Sequence, residues 1–312
     1  MRLKEKIEEG HFIFTAELGP PKSSNVNAVR KKSAHFQKGI DAINITDNQT
    51  AIVRLSSIAS AKILLDEGLE PIVQMTCRDR NRLALQSDLL GMAALDIENV
   101  LCLTGDHQRF GNHPEAKNVF DLDSIQLIAT AKRLTDGYFL SGEKIKTPPS
   151  LCIGGAANPF ADPLEMRVIR LAKKIQSGAQ FIQTQPVFDM DRFRVWMKLV
   201  SQSQIHDKTA ILAGVMPVKS AKAFLYMEKE VPGMRIPQEL IRRMEQAEEP
   251  KEEGIKIAVE TIRQLQKIEG IRGIHLMPLL WESITPRILE ESGLAERNNR
   301  ENANSDEEEK HE

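Results

Sequence analysis

The chain has 312 residues and a mass of 35.1 kDa, with 42 basic against 44 acidic side chains and a formal net charge of −2. A hydrophobic share of 41% with 28% charged residues is that of a globular chain able to bury a sizeable core, which excludes collagen-like, disordered and membrane-spanning readings for its bulk. With no basic excess, nucleic acid has no electrostatic handle; with no run near the roughly 20 apolar residues a bilayer needs and no signal-like stretch after Met1-Arg2-Leu3-Lys4-Glu5, the chain is expected to avoid membranes and stay in the cytoplasm.

Short apolar runs alternate with stretches of helical periodicity. The first run, His11 to Leu18, precedes a helical stretch from Asn25 to Gln37; the second, Gly39 to Thr46, precedes Ile52 to Asp66; the third, Pro71 to Cys77, precedes Asn81 to Leu90. A fourth, Asn99 to Thr104, leads through a long loop, Phe110 to Asp123, into a helix from Ser124 to Leu134. The fifth, Ser150 to Gly154, precedes Leu164 to Gln176, and the sixth, Ala179 to Gln185, precedes Asp191 to Val200. Thr209 to Val215 and Gly273 to Met277 complete the series. In the helix Leu164 to Gln176, Leu164, Val168, Leu171 and Ile175 make one buried stripe, and Arg167, Arg170, Lys173 and Lys174 are expected to leave it. Glycine follows several helices, at Gly39, Gly68 and Gly178, where a left-handed helix end requires it.

Eight strand-helix units in about 280 residues fit a closed (β/α)₈ TIM barrel better than an open doubly wound sheet, which usually has fewer strands. The α/β barrel is expected to be a single domain over residues 1–295. Residues 296–312, rich in Asn, Asp and Glu, have no apolar content to offset ordering entropy and read as a disordered acidic tail.

In such a barrel the active site lies where the strands end at the C-terminal face. Strand one, Phe12 to Leu18, carries Glu17 at the end of an apolar run stopped by Gly19-Pro20-Pro21. An ionised carboxylate buried there unpaired costs several kcal/mol, and a carboxyl that keeps its proton near neutral pH is what general acid catalysis requires. A surface glutamate at a strand exit is the bland reading. Strand four ends in Thr104-Gly105-Asp106-His107, where Gly105 lets backbone approach a ligand and Asp106 offers acceptor oxygens. Strand six ends in Gln185, an amide that can donate and accept along the edge of a flat heterocycle. Strand two closes with Asn44-Ile45-Thr46-Asp47-Asn48 and strand three with Gln74-Met75-Thr76-Cys77, so uncharged hydrogen-bonding groups surround the mouth.

His107 and His113 are six apart on a loop and no H-x-H or H-E-x-x-H occurs, so no metal is expected. Cys77, Cys102 and Cys152 are far apart and read as buried thiols. There is no G-x-G-x-x-G after a strand and no P-loop, so a nucleotide needs another route; Arg170, Lys173 and Lys174 could face its phosphate or merely solvent.

Five fragments in order resemble the bacterial type of methylenetetrahydrofolate reductase over residues 10–290. They are Thr15-Ala16-Glu17-Leu18-Gly19-Pro20-Pro21-Lys22, Thr76-Cys77, Leu103-Thr104-Gly105-Asp106, Gln183-Thr184-Gln185-Pro186-Val187-Phe188-Asp189 after Gly178-Ala179, and Gly214-Val215-Met216-Pro217-Val218. The resemblance implies a flavin barrel that reduces 5,10-methylenetetrahydrofolate to 5-methyltetrahydrofolate. It implies Glu17 as the general acid at N10 and Asp106 as an electrostatic partner near flavin and pterin. Gln185 and Asp106 become substrate-binding residues. Thr46, Gln74, Thr104, Gly105, Asp106, Asn158, Arg170, Lys173 and Lys174 become cofactor-binding residues. It further implies tetrahydrofolate as the partner molecule, a homo-oligomer, and NADH or NADPH as donor. The sequence departs from the family pattern at Leu18, Gln74, Thr104, the stretch Ile153 to Pro159, and Leu280-Trp281. FAD, FMN, an electron-donating partner subunit and flavin-independent transfer therefore stay open. So do two other functions: a pterin-binding methyltransferase barrel serving a corrinoid, and a folate-binding subunit of a larger reductase.

Overall fold

The computed structural model describes residues 1–231 and 233–295; the acidic stretch read as a tail lies outside the described residues. Eight parallel strands, β1 (Ile13–Leu18), β2 (Ala42–Ile45), β3 (Pro71–Thr76), β4 (Asn99–Leu103), β5 (Cys152–Ala157), β6 (Phe181–Pro186), β7 (Ala210–Val215) and β8 (Ile271–Leu276), pair in sequence order, and β8 closes on β1. This is the expected (β/α)₈ TIM barrel, with each strand within a few residues of its predicted run.

Alternation along each strand divides the core in two. In β1, Phe14, Ala16 and Leu18 face outward into the main core beneath the helices, whereas Ile13 belongs to an inner cluster. That inner cluster joins Ile13, Ala42, Ile72, Leu101, Cys152, Phe181, Ala210 and Leu212, and Leu3 of a first helix, α1 (Leu3–Glu9), packs onto it. The barrel's lower interior is thus a dry floor stoppered by α1, each large side chain contributing about 1.5–3 kcal/mol on burial. Phe181 fills this floor only because Gly154 lies opposite: a Cβ there would come within 2.2 Å of its ring.

The outer helices are α2 (Val26–Ser33), α3 (Ser57–Asp66), α4 (Arg82–Ala94), α5 (Ser124–Thr135), α6 (Leu164–Gln176) and α7 (Met190–Gln202), followed by α8 (Ala221–Glu230), α9 (Gln238–Glu245) and α10 (Pro250–Leu265) after β7, and α11 (Thr285–Ser292) after β8. Side-chain caps start several of them: Asn81 accepts from Leu83 and Ala84 N–H, and Asp123 and Gln126 form a capping box. Among the described residues no helix is long and apolar enough to cross a membrane.

Candidate active site

Above the apolar floor the inward-facing positions turn polar. Thr15, Asn44, Gln183 and His275, from β1, β2, β6 and β8, are each almost wholly buried. The Asn44 and Gln183 amides pair reciprocally, Gln183 Nε2 donating to Asn44 Oδ1 at 3.0 Å. Gln183 Nε2 also lies 3.3 Å from Thr15 Oγ1, which contacts His275 Nδ1 at 2.9 Å. Buried polar groups persist only when their hydrogen-bonding capacity is met, and these four meet one another's.

Glu17 stands one step higher on β1, its side chain 12% exposed. Gln74 Nε2 donates to Glu17 Oε2 at 3.2 Å, and His275 Nε2 lies 3.9 Å from the same oxygen. Oε1 has no hydrogen-bond or ion-pair partner among the described residues. The surface-glutamate reading is thereby corrected: the carboxyl points into the barrel mouth.

At the ends of β4, β5 and β6 opens a cleft lined by Thr104, Ser124, Asn158, Arg167, Arg170, Lys174 and Gln185 among others. None of Arg167, Arg170 and Lys174 has a carboxylate at salt-bridge distance among the described residues. Arg167 Nε is buried without a partner among the described residues, while its Nη2 donates to the Asp162 carbonyl oxygen. Lys174 departs from the expectation that it leaves the buried stripe of α6. It is 9% exposed, and its ammonium donates to the Ala156 carbonyl oxygen. Burial, reinforced by the neighbouring Arg170 charge, pushes its pKa down to about 8. Lys173, one position earlier, is exposed and is not part of the cleft wall.

The rim is held by ion pairs. Asp47, buried after β2, accepts from Thr76 N and Thr76 Oγ1 at 2.9 Å and from Arg80 at 2.7 Å, while Arg80 also reaches Asp88. Gly105 turns at φ +91°, where a Cβ would press on Thr76 and Arg78. The turn leaves Asp106 exposed, and its backbone oxygen accepts from Arg78. Thr46 is buried and its hydroxyl lacks a partner among the described residues, an orphaned polar atom after β2.

Glu17 and Gln74 are thus joined directly, and Thr104, Asn158, Arg170, Lys174 and Gln185 share the cleft, whereas Lys173 and Asp106 stand outside it. Sequence reasoning left Thr15, Asn44, Gln183 and His275 out of the site, and Arg167 and Ser124 out of the cleft. The signal for the first four was a polar residue one to three positions before the end of a largely apolar strand. All three cysteines are free and buried, and burial raises the Cys77 and Cys152 thiols to about 12, so none is a nucleophile near neutral pH.

A sequence model described as methylenetetrahydrofolate reductase matches residues 2–293. Methylenetetrahydrofolate reductase 2 of Schizosaccharomyces pombe is 26% identical over 322 residues, covering 94% of this chain and 47% of that protein. Methylenetetrahydrofolate reductase (NADH) 1 of Arabidopsis thaliana is 25% identical over 306 residues, covering 94% and 50%. The chain spans about half the length of these curated relatives. Among solved structures, an uncharacterized protein from Clostridium thermocellum that binds two copies of 5-methyl-5,6,7,8-tetrahydrofolic acid superposes with a TM-score of 0.65 at 18% identity, covering 94% of this chain and 97% of that one; at this identity the likeness concerns the fold. With the family's sequence model matched almost end to end on a closed eight-stranded barrel, the chain belongs to the methylenetetrahydrofolate reductase family.

Proposed function

We propose that this chain reduces 5,10-methylenetetrahydrofolate to 5-methyltetrahydrofolate, with Glu17 as the general acid. The observation that carries the reading is the Glu17 carboxyl, sunk in the barrel mouth with Oε2 engaged by Gln74 and Oε1 without a protein partner among the described residues, while a cleft lined by Arg167, Arg170 and Lys174 opens at the ends of β4 to β6 of the same barrel. Protonation of N10 by Glu17 lets the bond between N10 and the one-carbon unit break. N10 keeps the electron pair, and the N5 lone pair forms the iminium that accepts hydride. Asp106 at the rim supplies negative charge that favours this cation, and Gln185 offers donor and acceptor to the pterin edge. The Clostridium thermocellum protein, which binds methyltetrahydrofolate, is in keeping with a folate ligand.

The residues fit a flavin nucleotide. Arg167, Arg170 and Lys174 form a carboxylate-free anion pocket, and the orphaned Thr46 hydroxyl can bond a polar ring edge. Thr104 and Asn158 line the same cleft, Gly105 follows Thr104 in the turn after β4, and Gln74 contacts Glu17. When bound, FAD, or FMN in its place, supplies the hydride. NADH or NADPH is the donor, the two nucleotides carried in the names of the Arabidopsis and Caenorhabditis elegans relatives. The test is to purify the chain, identify any released flavin by mass, and mix the reduced protein anaerobically with 5,10-methylenetetrahydrofolate. Formation of 5-methyltetrahydrofolate is expected; a colourless protein that forms none with added reduced FAD or FMN contradicts the proposal.

A further inference from the structure

The turn that carries Asp106 closes on one buried guanidinium. Arg78, two residues past the end of β3, is 2% exposed, yet its head reaches the loops after β2, β3 and β4. Its Nε and Nη2 donate to Asp79 Oδ1 and Oδ2 at 2.8 and 2.6 Å. Nη2 also donates to the Asn48 carbonyl oxygen and Nη1 to the Asp106 carbonyl oxygen, both at 3.3 Å. The stem contributes too: a Cβ on Gly105 would lie 3.1 Å from Arg78 Cβ, so the left-handed turn packs directly against the arginine. Asn48, held from the other side, is itself left-handed at φ +45°, a conformation that persists only where its surroundings over-determine it. Burial opposes the Arg78 charge, and the bonds to Asp79 with the nearby charges of Asp47 and Asp106 outweigh it. The bidentate partner is Asp79; the Asp106 carboxylate has no ion pair among the described residues.

Resting on the reading of Asp106 as the electrostatic partner of the substrate cation, we propose that Arg78 is a positioning residue for Asp106. Arg78 fixes the turn after β4 against the loops after β2 and β3, and Asp79 takes up its charge. The Asp106 carboxylate is thereby held in place by its own backbone, with its negative charge left for the iminium. Arg78 gives nothing to substrate directly. Its importance follows from the steepness of electrostatic and geometric stabilisation, which a displacement of about 1 Å degrades severely. An arginine suits the task because one planar head with five N–H bonds serves a carboxylate and two carbonyls at once, which an ammonium does not.

Two measurements on the full-length chain test this. Hydrogen exchange read by mass spectrometry on the ligand-free protein should show peptides over residues 46–51 and 104–110 exchanging about tenfold faster in Arg78→Lys, with β7 peptides unchanged. In stopped-flow mixing of the reduced protein with 5,10-methylenetetrahydrofolate, Arg78→Lys should lower the folate rate constant about tenfold. In an Asp106→Asn background the same change should cost less than about twofold, because the turn then has no charge to place. Asp79→Asn, at a side chain 41% exposed and so outside the core, should show the same dependence on Asp106, since the released Arg78 charge offsets the carboxylate. Equal losses with and without the Asp106 charge would make Arg78 a general brace and overturn the proposal, as would loop exchange unmoved by Arg78→Lys. A wild type that reduces no folate fails the proposed function, and the reading of Asp106 with it, whereas the exchange result needs no turnover and decides by itself whether Arg78 holds the turn.

Discussion

Replacing Lys174 by methionine is expected to make the ligand-free protein more stable and its cleft worse at holding anions. A folded-state pKa near 8 against an ordinary value of 10.5 means that the charged lysine is disfavoured by about 3 kcal/mol relative to the unfolded chain. Methionine has similar length and removes that cost, while leaving the Ala156 carbonyl without its donor forfeits about 1 kcal/mol. The net gain is about 2 kcal/mol, or roughly 3 °C in Tm for a barrel of this size. Because the folded pKa lies below the unfolded one, the folded state holds fewer protons between about pH 8 and 10.5. The wild type therefore gains stability as pH rises through that window, and the advantage of Lys174→Met should be full below pH 8, fall through zero within the window and end at about 1 kcal/mol in the wild type's favour above about pH 10.5. Differential scanning fluorimetry of both proteins at pH 7 and pH 9.5 measures this. A variant less stable than the wild type at pH 7, or a difference unchanged by pH, refutes the description of Lys174 as a cation held buried against its solvation.

Other outcomes follow from the same geometry. Arg170→Ala should weaken FAD or FMN binding about tenfold in equilibrium titration, whereas Lys173→Ala, one residue along but outside the cleft, should change it less than about twofold. Gly154→Ala places a Cβ 2.2 Å from the Phe181 ring and should cost more than about 2 kcal/mol in urea unfolding. The thiols of Cys77, Cys102 and Cys152, all buried, should resist a disulfide-forming reagent at pH 7.5 until the protein unfolds, with three equivalents reacting afterwards.

The barrel was legible because its strands are short Val- and Ile-rich runs whose outward faces must be apolar, as Phe14, Ala16 and Leu18 are. The stopper α1 was not. In Leu-Lys-Glu-Lys-Ile-Glu-Glu only Leu3 and Ile7 are apolar, and their value depends on a barrel end that exists only after closure. Glu17 could be singled out because a charge at an apolar strand's end is locally anomalous. Thr15, Asn44, Gln183 and His275 are each a weaker anomaly than a carboxylate within an apolar strand, and their meaning is mutual. Lys174 lies three residues after Leu171, within reach of the buried stripe. A lysine there reads as solvated until the close approach of β5 supplies the Ala156 carbonyl. Asp106 shows the opposite limit: the sequence marks a turn built on Gly105, but nothing in it sets how far from Glu17 the carboxylate comes to rest.

The central claim is that Glu17 supplies the proton that opens the folate ring, and stopped-flow measurement of the two half-reactions of Glu17→Gln tests it most directly. The amide keeps the shape of the side chain and its contact with Gln74, but carries no acidic proton. Reduction of bound flavin by its nicotinamide donor should proceed within about threefold of the wild-type rate, since that step needs no proton at N10. Reduction of 5,10-methylenetetrahydrofolate should fall by at least about 10³, the upper range of a general acid's contribution. Equal loss in both half-reactions, or folate reduction that survives the substitution, contradicts the account.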